Sequence, residues 1–135
     1  MLKIKSIEHI GIAVEDTHAE AKWYCDTLGF TVAYKAPTEP VNYFIKAPDG
    51  SCMIEFISAS VMPESDPGRV DFPKVNPTQL HIAFEIEDFD AAYDALLAKG
   101  VKFEGPRPTG TGRKLAFFRD PEGIPLQLVY RPEPL

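Results

Sequence analysis

The chain has 135 residues, of which 44% are hydrophobic and 25% are charged, and its 14 basic and 20 acidic side chains leave a formal net charge of −6. This length allows one domain whose core buries roughly two-thirds of the surface of the unfolded chain. The negative charge argues against nucleic acid and anionic membranes as partners, because binding to phosphate depends on clustered Lys and Arg.

The N-terminus and the cysteines indicate an ordinary cytoplasmic protein. Residues 1–5 have no signal-peptide pattern, and no segment approaches the roughly 20 apolar residues that span a bilayer. Cys25 and Cys52 form no Cys-x-x-Cys motif, which favours two free thiols over ligands or a disulfide. The sequence therefore predicts a soluble cytoplasmic protein that contacts no membrane.

The first half of the chain, residues 4–60, predicts a β-α-β-β-β module. An alternating strand at 4–14 precedes a helix, where Thr17 and Glu20 have the spacing of a capping box and Gly29 marks the end. Three more strands are predicted, at residues 30–34, 41–46 and 51–60.

The second half repeats this order after a linker at 61–77, whose prolines and polar residues favour irregular structure. In the second module, residues 78–131, a strand carries His81 and Asp88 caps a helix. The remaining strands are predicted at 101–104, 114–119 and 124–130. The fold class is therefore α+β, built from two βαβββ modules within a single domain.

Four polar positions repeat at one interval. His81 follows His9 by 72 positions, and Gln127 follows Glu55 by the same number. Internal repetition is the most specific signal of organisation in this chain. The turn glycines Gly50 and Gly123 are instead 73 positions apart, so we expect a one-residue bulge in the first hairpin.

The repeated positions are typical ligands of a divalent metal. Two imidazoles, a carboxylate and an amide oxygen suit Zn, Ni, Co, Mn or Fe(II) better than metals that prefer thiolates. Small residues near each histidine indicate a cavity around His9, Glu55, His81 and Gln127. Only Glu55 is anionic, so the centre would keep a formal charge of +1 and polarise a substrate oxygen.

Other polar residues are weaker candidates. Arg113 and Lys114 follow a flexible loop and could clamp a substrate carboxylate, although a solvated basic loop is an equal alternative. Tyr43 is a further candidate for substrate binding, and Arg119 is another polar residue near the second hairpin. Strand alternation places Glu8 on the face opposite His9, where it would be solvated or salt-bridged.

Remaining charged residues are expected at the surface. Glu85 shares a strand face with His81 at a distance of about 13 Å, which favours a charge at the rim. His18 lies in the first turn of the first helix and is interpreted as a surface residue.

Five motifs together resemble the vicinal oxygen chelate superfamily, which includes glyoxalase I, bleomycin-resistance proteins, extradiol dioxygenases and methylmalonyl-CoA epimerase. They lie at residues 7–12, 24–30, 54–56, 80–84 and 117–128. The resemblance implies paired βαβββ modules in a mixed sheet that curls around a metal, with ligands at His9, Glu55, His81 and Gln127. It also implies a small-molecule substrate and a homodimer with sites at the module interface.

The resemblance to glyoxalase I implies a metal-dependent lyase or isomerase that transfers a proton beside a carbonyl, as in hemithioacetal isomerisation. A glutamate of the second module can serve as the base in that family, but Gln127 cannot accept a proton, so Glu55 would act as the catalytic base. Three alternatives stay open: an acyl-CoA epimerase, a ring-cleaving dioxygenase, and a non-catalytic protein that binds an antibiotic or another small molecule.

Overall fold

A computed structural model describes residues 1–63 and 68–135. The chain forms two compact units, Met1–Arg69 and Val70–Leu135, and their boundary falls within the predicted linker at 61–77. Residues 64–67 of that linker lie outside the described residues. The prediction that the linker is wholly irregular is wrong for Phe72–Lys74, which form a short 3-10 turn with Pro73 near its start.

The first unit is a four-stranded sheet with one helix. Its strands occur in the order β1-β4-β3-β2, in which β1 runs parallel to β4 and the other neighbours are antiparallel. The elements are β1 (His9–Val14), α1 (Thr17–Leu28), β2 (Thr31–Lys35), β3 (Tyr43–Lys46) and β4 (Met53–Ser58). This order confirms the predicted β-α-β-β-β module, although β1, β3 and β4 are shorter than predicted and β2 is shifted by one residue.

Alternation along β3 and β4 separates a buried face from an open one. Tyr43, Ile45 and Phe56 are buried, and the ring centroid of Phe56 lies 5.2 Å from that of Tyr24 on α1. Successive strand residues point to opposite faces, so Glu55 lies on the face away from α1. The helix therefore covers one face of the sheet and leaves the other for the candidate ligands.

The first helix begins with a different cap from the one predicted. The Asp16 side chain accepts a hydrogen bond of 2.9 Å from the backbone N–H of Ala19, which makes Asp16 the N-cap. Thr17 is already helical, and its hydroxyl donates to the Val41 carbonyl at 2.6 Å. The predicted capping box is therefore wrong, because the adjacent Asp16 satisfies the orphan donor. Gly29 ends the helix in the left-handed conformation, as predicted.

The second unit also begins with a strand and a helix, but only two further strands follow them. Its sheet is arranged β5-β7-β6, with β5 parallel to β7 and β6 antiparallel to β7. The elements are β5 (Ile82–Glu85), α2 (Phe89–Ala98), β6 (Lys114–Arg119) and β7 (Pro125–Tyr130). Asp88 caps α2 by accepting a hydrogen bond from the N–H of Ala91 at 3.0 Å, as predicted.

The strand predicted at 101–104 is reduced to a single bridge between Glu104 and Phe117. The apolar pattern of this segment instead reflects packing, because the Phe103 ring stacks on Tyr93 of α2 with centroids 3.9 Å apart. Gly105 then takes a positive φ of 76° and turns the chain away before a ladder can form. The prediction of a full strand here is wrong.

The two hairpin turns differ in length, but the strands that flank each turn pair without a bulge. Pairing of β3 with β4 is continuous from Tyr43 opposite Phe56 to Lys46 opposite Met53, so the bulge predicted for this hairpin is wrong. The backbone bond from Ala47 N to Cys52 O closes a turn over 48–51, whereas the equivalent bond in the second unit closes a shorter turn over 121–123. The extra residue therefore lies in the first turn.

Both cysteines are half-buried free thiols, which confirms the prediction for Cys25 and Cys52. Within 1–63 and 68–135, no helix combines the length and the apolar content that a bilayer crossing would need.

Candidate metal centre

Strand register places Glu55 and Gln127 in equivalent positions, each opposite a small residue that follows a histidine by two positions. Gly11 lies opposite Glu55 in the pairing of β1 with β4, and Ala83 lies opposite Gln127 in the pairing of β5 with β7. His9 lies within β1, two positions before Gly11, and shares its strand face, whereas the strand predicted to carry His81 begins one residue later, at Ile82. The sequence repeat therefore corresponds to one register that occurs in both units.

In the first unit, His9 is held between two carboxylates. Its Nε2 lies 3.8 Å from Glu55 Oε1, and its Nδ1 lies 3.0 Å from Glu8 Oε1. The edge of the ring meets Phe44 with centroids 5.2 Å apart. Gly11 borders the same carboxylate, since a Cβ there would stand 3.5 Å from Glu55 Oε1, in ordinary contact.

These contacts fix which nitrogen of His9 is available. An ionised carboxylate only accepts hydrogen bonds, so Nδ1–H of His9 donates to Glu8, and Nε2 is the ring nitrogen that faces Glu55. Nε2 and the Glu55 carboxylate are favourable neighbours when a proton or a cation lies between them. Metal–ligand bonds near 2.1 Å at a tetrahedral angle would set the two atoms about 3.4 Å apart, close to the spacing seen here. His9 and Glu55 therefore fit as two ligands of one divalent metal.

In the second unit, His81 has surroundings similar to those of His9. Its Nδ1 lies 2.7 Å from the Pro77 carbonyl oxygen, which can only accept, so Nδ1 carries a proton and Nε2 is the nitrogen that points away from this bond. The ring edge meets Phe117 with centroids 5.2 Å apart, as in the first unit. Gln127 is 6% exposed, so its amide is held within the sheet.

Each unit thus supplies two of the four predicted ligands. No cluster of three or more His, Cys, Asp or Glu side chains suited to a metal occurs in the part of the chain that the structure describes. The complete set of His9, Glu55, His81 and Gln127 stays a prediction.

Three residues that contact the two histidines, Glu8, Phe44 and Phe117, were not recognised from the sequence. Glu8 contacts His9 although strict alternation assigned it to the other face, because β1 begins only at His9 and residue 8 lies outside the ladder. Phe44 lies opposite Glu55 and Phe117 opposite Gln127, so they are equivalent. They are 73 positions apart, as are the turn glycines, and that shared interval is the signal that could have identified them.

Tyr43 lies on the helix-covered face of the first sheet. It is 8% exposed and neighbours Phe44, whose side chain lies on the other face with Glu55. The Tyr43 hydroxyl lies 2.8 Å from Nδ1 of His18, and Nε2 of that ring lies 2.8 Å from Glu39 Oε1. The hydrogen bond from His18 lowers the pKa of Glu39. The structure does not bring Tyr43 together with the His9 and Glu55 pair.

Lys114 also lies on a helix-facing side. It pairs with Tyr130 on β7, and its Nζ lies 3.8 Å from Asp90 Oδ2 and 5.6 Å from the centre of the Phe89 ring. A cavity of about 330 Å³ opens beside these residues. Hydrogen bonding from Arg107, together with the charge of Lys114, lowers the pKa of Asp90. Lys114 and Gln127 point to opposite faces of this sheet.

The two arginines near β6 have different surroundings. Arg113 is exposed and immediately precedes β6. Arg119 is engaged in structural bonds, because its guanidinium donates to the carbonyl oxygens of Phe72, Val75 and Gly123 and to the Glu104 carboxylate at 2.8 to 2.9 Å. It fixes the 72–75 segment to the second hairpin.

Comparison with protein families agrees with this fold. The model of the Glyoxalase/Bleomycin resistance protein/Dioxygenase superfamily matches residues 6–128. The chain is 34% identical over 131 residues to the uncharacterized protein YaeR of Escherichia coli (strain K12), a match that covers 95% of this chain and 98% of YaeR. The chain therefore belongs to this superfamily, which is the one that its motifs resemble.

Solved structures show the same fold. A superfamily member from Sphaerobacter thermophilus aligns with a TM-score of 0.76 at 24% identity, covering 96% of this chain and all of that one. TnmS3, an antibiotic binding protein from a Streptomyces species, aligns with a TM-score of 0.71 at 21% identity, covering 97% and 99%. At these identities the likeness concerns the fold alone.

Proposed function

We propose that this protein is a metal-dependent lyase or isomerase of the glyoxalase I type, which transfers a proton next to a carbonyl of a small substrate. The observation that carries the proposal is Nε2 of His9 facing Glu55 Oε1 at 3.8 Å, because two ligands of one divalent metal lie at about that spacing. The repeated register of Ala83 and Gln127 supports a second pair of ligands.

The proposed ligands are His9, Glu55, His81 and Gln127. A bound divalent cation acts as a Lewis acid that stabilises negative charge on a substrate oxygen. Imidazole, carboxylate and amide donors suit Zn, Ni, Co, Mn or Fe(II). A homodimer in which each site takes one module from each chain remains part of this proposal.

Glu55 is the proposed base. Its side chain is 19% exposed, so a substrate can reach the carboxylate, whereas the Gln127 amide cannot take up a proton at neutral pH. Glu55 removes the proton from the carbon beside the carbonyl and returns it to the adjacent carbon. Atoms are conserved in this isomerisation, and no redox partner is required.

The cross-strand neighbours of Glu55 are apolar. Phe44 lies directly opposite Glu55 on one side and Gly11 lies opposite it on the other, so apolar residues flank the carboxylate within the sheet.

The activity test is replacement of Glu55. Wild-type protein loaded with each candidate metal in turn should isomerise hemithioacetals or epimerise acyl-CoA esters, with exchange of the transferred proton for deuterium from the solvent. Glu55→Gln should lower the turnover rate by about 10²- to 10⁴-fold, the usual contribution of a general base. Glu85→Gln, which removes a carboxylate from an exposed position of β5, should retain the wild-type rate.

Other results would overturn the proposal. Oxygen uptake that depends on Fe(II), without proton exchange, would assign a dioxygenase. A protein that takes up no metal but binds small apolar molecules would instead be a binding protein. TnmS3 is described in such terms, as an antibiotic binding protein.

A further inference from the structure

We propose that Glu8 is a positioning residue of this site: it holds His9 in the tautomer that presents Nε2 to Glu55, and it adds a negative charge that the second unit lacks. This inference rests on the proposed metal site. It concerns Glu8, which does not touch the metal in this arrangement and acts through His9.

The backbone of Glu8 is tied to the sheet, while its side chain is 72% exposed. The Glu8 carbonyl accepts a hydrogen bond of 2.9 Å from the backbone N–H of Met53, so residue 8 is tied to β4 although it precedes β1. From there the carboxylate reaches His9 Nδ1 at 3.0 Å. Phe44 meets the edge of the same ring, so the ring is restrained on a second side.

The two histidines differ in the charge of their acceptors. His9 donates to a carboxylate, whereas His81 donates to the neutral Pro77 carbonyl. Either acceptor selects the Nδ1–H tautomer, but a carboxylate also raises the basicity of the opposite nitrogen. His9 is therefore the stronger donor of the two.

This difference bears on the total charge of the site. A divalent cation with Glu55 as its one anionic ligand keeps a formal charge of +1, because Gln127 is neutral. Glu8, which is hydrogen-bonded to His9, adds a second negative charge and brings the local formal charge to zero. The first unit thus supplies both negative charges, and partners of this kind are typically worth about 10- to 100-fold in metal affinity.

The tautomer is tested by nitrogen-15 NMR on metal-free protein at alkaline pH, where imidazoles are neutral. Wild-type protein should show Nδ1–H for both His9 and His81. In Glu8→Ala, His9 should shift to the Nε2–H form while His81, an internal control in the same sample, stays unchanged. An unaltered His9 spectrum in Glu8→Ala would overturn the positioning role.

The charge is tested by calorimetric titration of the proteins with Zn²⁺ alone. Glu8→Ala should bind about 10- to 100-fold more weakly than wild type. Glu8→Gln retains a neutral acceptor for Nδ1–H, so it should keep the wild-type tautomer and show an intermediate affinity. Glu133→Gln removes the same charge from an exposed site in the C-terminal segment and should bind as wild type does.

The outcomes separate this inference from the proposed function. If wild type takes up no metal, the proposed function fails, and the NMR spectra still decide whether Glu8 orients His9. If wild type binds Zn²⁺ and Glu8→Ala binds it equally well, the inference about Glu8 fails and the proposed function stands. Equal affinity of Glu8→Gln and wild type would overturn the charge contribution.

Discussion

At the scale of single residues, the candidate centre depends on small side chains as much as on ligands. Gly11 and Ala83 occupy equivalent positions opposite Glu55 and Gln127. A Cβ at Gly11 would lie 3.5 Å from Glu55 Oε1 and 3.7 Å from Ile57 Cδ1, which are ordinary contacts. An alanine therefore fits at position 11, as it does at position 83, but a larger side chain would enter the space beside the carboxylate.

This difference predicts the effects of two substitutions. Gly11→Ala should fold and bind metal as wild type does. Gly11→Val should also fold, because valine favours strands, but its methyl groups would crowd Glu55 and weaken metal binding by roughly tenfold or more. Titration with Zn²⁺ together with circular dichroism checks both parts. Wild-type affinity in Gly11→Val would show that this space is not the site.

At the scale of elements, the turn glycines of the two hairpins have different surroundings. Gly50 and Gly123 both have positive φ, 75° and 88°. A Cβ at Gly50 would meet nothing within 4 Å, whereas a Cβ at Gly123 would stand 2.7 Å from Pro73 Cγ and 2.9 Å from Pro73 N. Arg119 holds these two segments together by donating to the carbonyls of Phe72 and Gly123.

Alanine substitution at the two glycines should therefore have unequal effects. Gly50→Ala should lower the free energy of unfolding by about 1 to 2 kcal/mol, the cost of a left-handed alanine. Gly123→Ala adds a clash with the Pro73 backbone and should cost at least about 1 kcal/mol more. Urea denaturation of the two variants measures the difference. Equal losses would mean that the 72–75 segment does not pack on the hairpin as described.

The elements also show what the sequence could and could not predict. Helices and most strands follow from apolar periodicity and cap residues, and Asp88 was identified correctly for that reason. Asp16 and Thr17 are both good caps, and only the backbone geometry decides between them. The segment at 101–104 has the apolar pattern of a strand, but Phe103 packs by stacking on Tyr93 of α2 and not by pairing within a sheet.

At the scale of the whole molecule, the repeat interval was the most informative feature of the sequence. One interval of 72 positions predicted that Glu55 and Gln127 occupy equivalent places, and the strand pairing bears this out. The register repeats because alternation fixes which residues share a face. Contacts outside the ladder escaped prediction, as with Glu8, since strand periodicity does not extend to the residues that precede a strand.

Metal stoichiometry tests most directly the proposed ligand set of His9, Glu55, His81 and Gln127. Protein reconstituted with Zn²⁺ and freed of excess metal would be analysed as wild type, His9→Ala, His81→Ala and His18→Ala. His18 is the matched control, since its ring bonds to Tyr43 and Glu39 on the helix side of the first sheet.

We expect about one metal per chain in wild type and in His18→Ala, and almost none in the other two variants, because a site that loses one imidazole loses most of its affinity. Full metal content in either His9→Ala or His81→Ala, or none in wild type, would contradict the proposed ligand set.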